Sequence, residues 1–147
     1  MRPTYRTFAI LLPVCLLLAS TCKEEDSIGL INVQLNTPFE VGIHEKAVIQ
    51  GSNLAMEITE IADNRCPPDV QCFSAGDAKV RLNISGLKSA DTVLIFCIGQ
   101  CEGRYRESDT VTIQHQQEEY SLVLSEVNPY PGKGSQEKTA IFTLKKD

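Results

Sequence analysis

The chain has 147 residues, six cysteines, no tryptophan and a formal net charge of −5. That length holds one domain, or one domain and a targeting segment, and 42% apolar with 22% charged residues is the composition of a folded protein rather than a disordered one. The acidic balance argues against a nucleic-acid partner, which would need a clustered basic face.

Met1–Thr7 carries Arg2 and Arg6 and no acid, and Phe8–Ala19 is apolar throughout. The apolar run is about twelve residues long, short of the roughly 20 that a bilayer-spanning helix needs. A basic start, a short apolar run and then small residues predict a secretory signal peptide. Pro13 in mid-run opposes the alternative, a buried N-terminal helix. The run closes on Leu17-Leu18-Ala19-Ser20-Thr21-Cys22, which resembles a bacterial lipoprotein signal, where the cysteine becomes the lipidated first residue. That pattern prefers Leu three places before the cysteine and Gly or Ala directly before it; Ala19 and Thr21 stand there instead. Cysteine parity agrees with lipidation: Cys15 leaves with the signal, and lipid on Cys22 leaves four cysteines to pair. Ordinary cleavage with Cys22 as a free thiol is the alternative.

Residues 1–21 are therefore read as the signal peptide, 22–36 as an acidic tether and strand entry, and 37–147 as the folded domain. Lys23-Glu24-Glu25-Asp26 is a solvated tether. It is also similar to the Lys-plus-acids signal that sends some Gram-negative lipoproteins to the outer face of the outer membrane. The lipoprotein resemblance implies the membrane as a partner through an N-terminal lipid, because no other apolar stretch is long enough to span. Asp26-Ser27-Ile28 resembles a bacterial Asp-Ser/Thr-aliphatic O-glycosylation motif, which marks Ser27 on the accessible tether.

Beyond the tether the pattern is short runs of period two, broken by turn signals roughly every 8 to 12 residues. Phe39, Val41 and Ile43 begin one strand behind Pro38; Leu54, Met56 and Ile58 alternate in the next, after Gly51-Ser52-Asn53. In Asp77–Ser85, Ala78, Val80, Leu82 and Ile84 share one face, and Gly86 ends the run. Thr92–Ile98 is apolar on both faces, which predicts a central strand covered on both sides. Thr110–Gln114, Tyr120–Val127 and Lys138–Lys145 complete the set. Seven to eight short strands without a convincing helical period predict an all-β fold, an antiparallel β-sandwich, Ig-like or related. A small closed barrel is the alternative.

The most distinctive stretch runs from Asp63-Asn64-Arg65-Cys66-Pro67-Pro68-Asp69 through Val70-Gln71-Cys72-Phe73-Ser74-Ala75-Gly76 into a strand. Physically it is a strand exit, a Pro-Pro-Asp turn and a strand entry, with two cysteines placed to staple the turn. Cys97 and Cys101 form a second close pair, at the end of the apolar strand, where Gly99 permits a tight return. Four cysteines allow three pairings. The two local bridges, Cys66–Cys72 and Cys97–Cys101, are the favoured set, and a cross-link between the two loops is the alternative.

Asp63, Arg65, Cys66, Pro67, Cys72, Ala75 and Gly76 together resemble the motif of a family of uncharacterised secreted bacterial lipoproteins, Asp-Ser-Arg-Cys-Pro followed by Cys-Val/Ile-Trp-Ala-Gly. Asn64, Phe73 and Ser74 depart from it; Ser74 stands where the Trp belongs, and Phe73 is the side chain available to fill that space. Val127-Asn128-Pro129-Tyr130-Pro131 is similar to the family's ending. The resemblance implies a β-rich exported domain and no particular reaction.

Four cysteines can bind zinc, but spacings of five and three intervening residues are not CxxC, and export favours oxidation, so no metal and no cofactor is expected. His44 beside Glu45, and His115 in Gln114-His115-Gln116-Gln117-Glu118, both read as surface residues. No GxSxG elbow occurs, Gly132-Lys133-Gly134-Ser135 is a turn rather than a phosphate loop, and no catalytic residue is expected. Tyr120 alternates with Leu122 and Leu124 and belongs to the core. The expectation is a membrane-anchored, non-catalytic binding or structural module of the cell envelope, with an unknown protein or glycan ligand. Its candidate binding loop comprises Pro67, Pro68, Asp69, Phe73 and Tyr130. A disulfide-stabilised inhibitor or ligand-binding module at the cell surface is the second reading, and an envelope enzyme the third.

Overall fold

In β5, Asp77–Ser85, the alternation seen in the sequence becomes a burial pattern: Ala78, Val80, Leu82 and Ile84 are buried, while Lys79 and Arg81 face solvent. The same alternation recurs in Thr139–Lys146 and at the start of Ala55–Asp63 in the computed structural model, which describes residues 30–87, 91–134 and 136–146. Cys22 and Ser27 lie outside the described residues. Ten strands appear among those described: β1 Leu30–Val33, β2 Pro38–Gly42, β3 Lys46–Ile49, β4 Ala55–Asp63, β5, β6 Thr92–Cys101, β7 Arg104–Arg106, β8 Asp109–His115, β9 Glu118–Asn128 and β10 Thr139–Lys146.

They form two sheets, in the orders β1-β3-β4-β5-β6-β7 and β2-β10-β9-β8. The chain changes sheet between β1 and β2 and again between β2 and β3, and a third time between β7 and β8. The inward rows of both sheets meet in one core. Phe96 of the six-stranded sheet meets Phe142 of the four-stranded sheet edge-to-face, with ring centroids 5.2 Å apart. Such a pair contributes about 0.5–1.5 kcal/mol beyond its burial.

The all-β sandwich therefore stands, with three differences of detail. Ten strands replace seven to eight, because β1, β3 and β7 have only three or four residues each and offer little pattern to read. β1 lies within the segment read as tether and strand entry, and it buries Val33; it pairs with β3 in parallel, Leu30 opposite Lys46 through Val33 opposite Ile49. All other strand pairs are antiparallel.

The expectation that Thr92–Ile98 is covered on both faces is overturned. Val93 and Ile95 are 52% and 56% exposed. The cause is architectural: in a two-layer sandwich the partner sheet covers only one face of β6, where Phe96 and Ile98 are buried, and Val93 and Ile95 stand on the other. Continuous apolarity cannot distinguish a covered strand from one with an uncovered face.

The sandwich has two unlike ends. β4 exits, β5 enters and β6 finishes at one of them, together with the β9–β10 connection; this is the loop end. At the other lie the turn after β3, the end of β1 and the β8–β9 turn; this is the hairpin end.

Candidate functional site

Both cysteine pairs belong to the loop end, and each is a local bridge: Cys66–Cys72 with Cα atoms 5.9 Å apart and Cys97–Cys101 with Cα atoms 6.0 Å apart. The first staples the Pro-Pro-Asp turn, where the Val70 N–H donates to the Pro67 carbonyl at 3.2 Å. The second joins two residues of β6 itself rather than closing a return. The return comes later, at Glu102-Gly103, both with positive φ (49° and 78°). Gly99 has a different role from the expected turn: at φ 90° a Cβ would press on the Gly76 carbonyl.

The two stapled segments are tied to each other. The Gln100 N–H donates to the Gly76 carbonyl at 2.9 Å, and the Ala75 N–H donates to Gln100 Oε1 at 3.3 Å. Within the first segment, the Asn64 and Cys66 N–H groups donate to the carbonyls of Asp77 (2.7 Å) and Ala75 (2.8 Å). Gly76 makes that ladder feasible. With φ 71° it runs so close to Asn64 that any Cβ would collide with the Asn64 carbonyl. Asp109 anchors the second segment, its carboxylate accepting from the Cys97 N–H at 2.9 Å and from Arg106 Nη1 at 3.3 Å.

Beneath these loops sits a charge cluster. Asp63 has a side chain only 2% exposed and accepts two hydrogen bonds from Arg65, Nε to Oδ1 and Nη2 to Oδ2, both 2.8 Å. Lys138, immediately before the last strand, donates to Asp63 Oδ2 at 2.8 Å and to the Pro129 carbonyl. Arg65 Nη2 also donates to the Val127 carbonyl at 2.6 Å, and its guanidinium lies 4.2 Å from the centre of the Tyr130 ring. One carboxylate between two cations thus joins β4, the β9 exit and the β10 entry. Burial works to raise the Asp63 pKa; the hydrogen bonds from Arg65 and Lys138 and the Arg65 charge outweigh it, and the carboxyl is held below its ordinary value.

The candidate loop residues divide by exposure. Pro67 and Tyr130 are half-buried, with Pro67 lying against Gly132 of the following loop and Tyr130 under Arg65, while Pro68 and Asp69 are exposed. Phe73 fills no interior space: it points outward, fully exposed, and Tyr105 is 72% exposed. A cavity of about 200 Å³ opens between the loops, walled by Arg65, Ile98, Tyr105, Arg106, Glu126 and Tyr130. The loop end therefore gathers the predicted residues and adds Tyr105, Arg106 and Lys138, which lie far from Cys66 along the chain. Lys138 carries no local signal, because its partner Asp63 is 75 residues away.

The histidines are not alike. His44 is exposed, with Nδ1 3.8 Å from Glu57 Oε1. His115 is not a surface residue as expected. It is only 4% exposed, since it ends the inward row Val111, Ile113, His115 of β8 rather than standing in the turn. Its two ring nitrogens have no hydrogen-bond partner among the described residues. Set beside known proteins, the chain matches no family model, no curated protein and no solved structure.

Proposed function

We propose that this is an exported, lipid-anchored lipoprotein of the bacterial envelope whose β-sandwich is a non-catalytic binding module, with the loop end as its recognition surface. The observation that carries this reading is the locked loop end itself. Two disulfides, a buried Asp63–Arg65–Lys138 cluster and the bonds from Gln100 hold loops that have little apolar content of their own. From that base Phe73 and Tyr105 project into solvent. Exposed aromatics on a fixed frame lose little conformational freedom on binding. Disulfides persist in oxidising compartments, which agrees with export through residues 1–21 and a lipid on Cys22. Asp63, Arg65 and Gly76, which carry the motif resemblance, hold the frame together through these bonds and close approaches. A partner protein in the envelope is the occupant that two outward aromatics fit best.

Two measurements on envelope fractions test it. The N-terminal peptide is expected to begin at Cys22 with a lipid-sized mass increment; an unmodified Cys22 contradicts the anchor. Capture from solubilised envelopes is expected to retain a stoichiometric partner with the unaltered chain and to lose it with Phe73→Ser and Tyr105→Ser together. Equal capture by both chains, or no stoichiometric partner with either, contradicts the recognition surface.

A further inference from the structure

At the opposite, hairpin end a second cleft of about 330 Å³ opens between the two sheets. Its floor is buried: Val33, Ile49 and His115 line it at 1%, 6% and 4% exposure, with the half-buried Tyr120 ring beside them. Its rim carries the exposed side chains of Gln34, Gln50 and Gln116. Among the described residues, neither ring nitrogen of His115 has a hydrogen-bond partner. A buried imidazole left in that state is costly, because the neutral ring offers one donor and one acceptor that water would otherwise satisfy. Stability alone favours an apolar residue at the end of an inward row, so the polar ring at this place needs a reason.

The composition of the cleft restricts what the reason can be. No Asp, Glu, Lys or Arg lines it among the described residues, so a charged ligand would be desolvated without a countercharge. A purely apolar ligand would leave the imidazole nitrogens as they are. What remains is uncharged, with hydroxyls that both donate and accept and with an apolar face for Val33, Ile49 and the Tyr120 ring. A sugar ring has these properties: its hydroxyls match imidazole and amide groups, and its C–H face packs on an aromatic ring. The volume lies at the small end of ligand cavities, roughly 300–1,000 Å³, which suits one or two sugar rings. Both ring nitrogens are shielded from solvent, so contact with a ligand hydroxyl requires the His115 ring to turn, and the broad χ2 well of histidine is the degree of freedom for that turn.

The rim has a further oddity. Gln116 and Gln117 close the two-residue β8–β9 loop with φ of 51° and 68°, positions where Asn-Gly is the low-strain choice. This turn sets Gln116 over the cleft at a conformational cost.

We propose that the hairpin-end cleft is a binding site for a neutral saccharide, with His115 as its central polar contact and Gln50 and Gln116 at its rim. The inference does not depend on the loop end being a recognition surface. The chain has only His44 and His115, so imidazole nitrogen resonances report on one site and one control. The full chain, with 15N-histidine, is titrated with D-glucose, D-galactose and N-acetyl-D-glucosamine, and separately with N-acetyl-alanine amide and with acetate. The expected result is a saturable shift of the His115 nitrogens with at least one sugar and none at His44. His115→Leu is expected to stay folded and to weaken that sugar's binding, read by saturation transfer, about tenfold or more, and Gln50→Ala to weaken it without altering stability. The proposal is overturned if no sugar moves His115, if the amide or acetate moves it and sugars do not, or if folded His115→Leu binds as the unaltered chain does.

Discussion

The two ends of the sandwich solve the same problem, how to finish a stack of strands, in opposite ways. The loop end is held, among the described residues, by two disulfides, a doubly hydrogen-bonded Asp63–Arg65 pair capped by Lys138, and a backbone ladder through Gly76. At the hairpin end no disulfide is present among the described residues, the β8–β9 turn is strained, and a buried imidazole lacks a partner. The contrast teaches where charge and polarity are tolerated in a small β domain. Buried charge is kept where several partners converge on it, and the unpartnered polar ring lies in the lining of a cleft.

The largest effect that tests this contrast is at Asp63. Removing one member of a buried ion pair leaves the other uncompensated, so Asp63→Asn is expected to cost about 3–5 kcal/mol, read by denaturant titration. A cost below about 1 kcal/mol would show that the cluster does not hold the loop end. The pH dependence has a definite sign. The folded-state pKa of Asp63 lies below its ordinary value of 3.8, so its contribution is complete above that value and fades as pH falls below it through the folded-state pKa. The stability difference between the unaltered chain and Asp63→Asn should be flat from about pH 5 upward and shrink below 3.8. A difference that instead shrinks on going above neutral pH would contradict the assignment.

Next in size are the staples. Replacing Cys66 and Cys72 by serine together is expected to cost about 2 kcal/mol by loop-closure entropy, with a similar figure for Cys97 and Cys101. The loops are short, so neither loss should unfold the sandwich, and far-ultraviolet dichroism of either variant should keep its β signature.

The hairpin end should respond with the opposite sign. His115→Leu removes two unsatisfied nitrogens from the core and is expected to gain about 1–2 kcal/mol. A loss of similar size would mean that the imidazole is satisfied within the protein. The smallest expected effect is a gain of about 1 kcal/mol from Gln116→Asn with Gln117→Gly, which relaxes two residues with positive φ. Thermal melting distinguishes it from zero.

Legibility from the sequence followed the same division. β5 and β10 were readable because one face of each is buried and period-two alternation reports one-faced burial directly. β4 was readable as far as Ile58, where a register shift before Glu60 breaks the alternation. β1 and β7 were not, since three or four residues carry no period and their place depends on distant neighbours. At the loop end, Asp63, Arg65 and Gly76 stood out by resemblance and the disulfides by spacing, whereas Lys138 and Tyr105 reach the site only through the fold. His115 was misread because the glutamines around it resemble a polar turn. The turn takes only Gln116 and Gln117, and His115 remains in the strand with its side chain inward.

Native-state hydrogen exchange tests most directly whether the loop end is a prebuilt, locked surface. The amides of Asn64 and Cys66 are bonded within the first stapled segment and that of Gln100 between the two, whereas those of Ser52 and Gln50 make longer bonds, 3.2 and 3.4 Å, at the hairpin end. In the oxidised protein the first three are expected to exchange at least about a hundredfold more slowly than the last two, and to lose that protection in Asp63→Asn. Exchange of Asn64, Cys66 and Gln100 as fast as in an unstructured peptide, with both disulfides intact, would contradict the account.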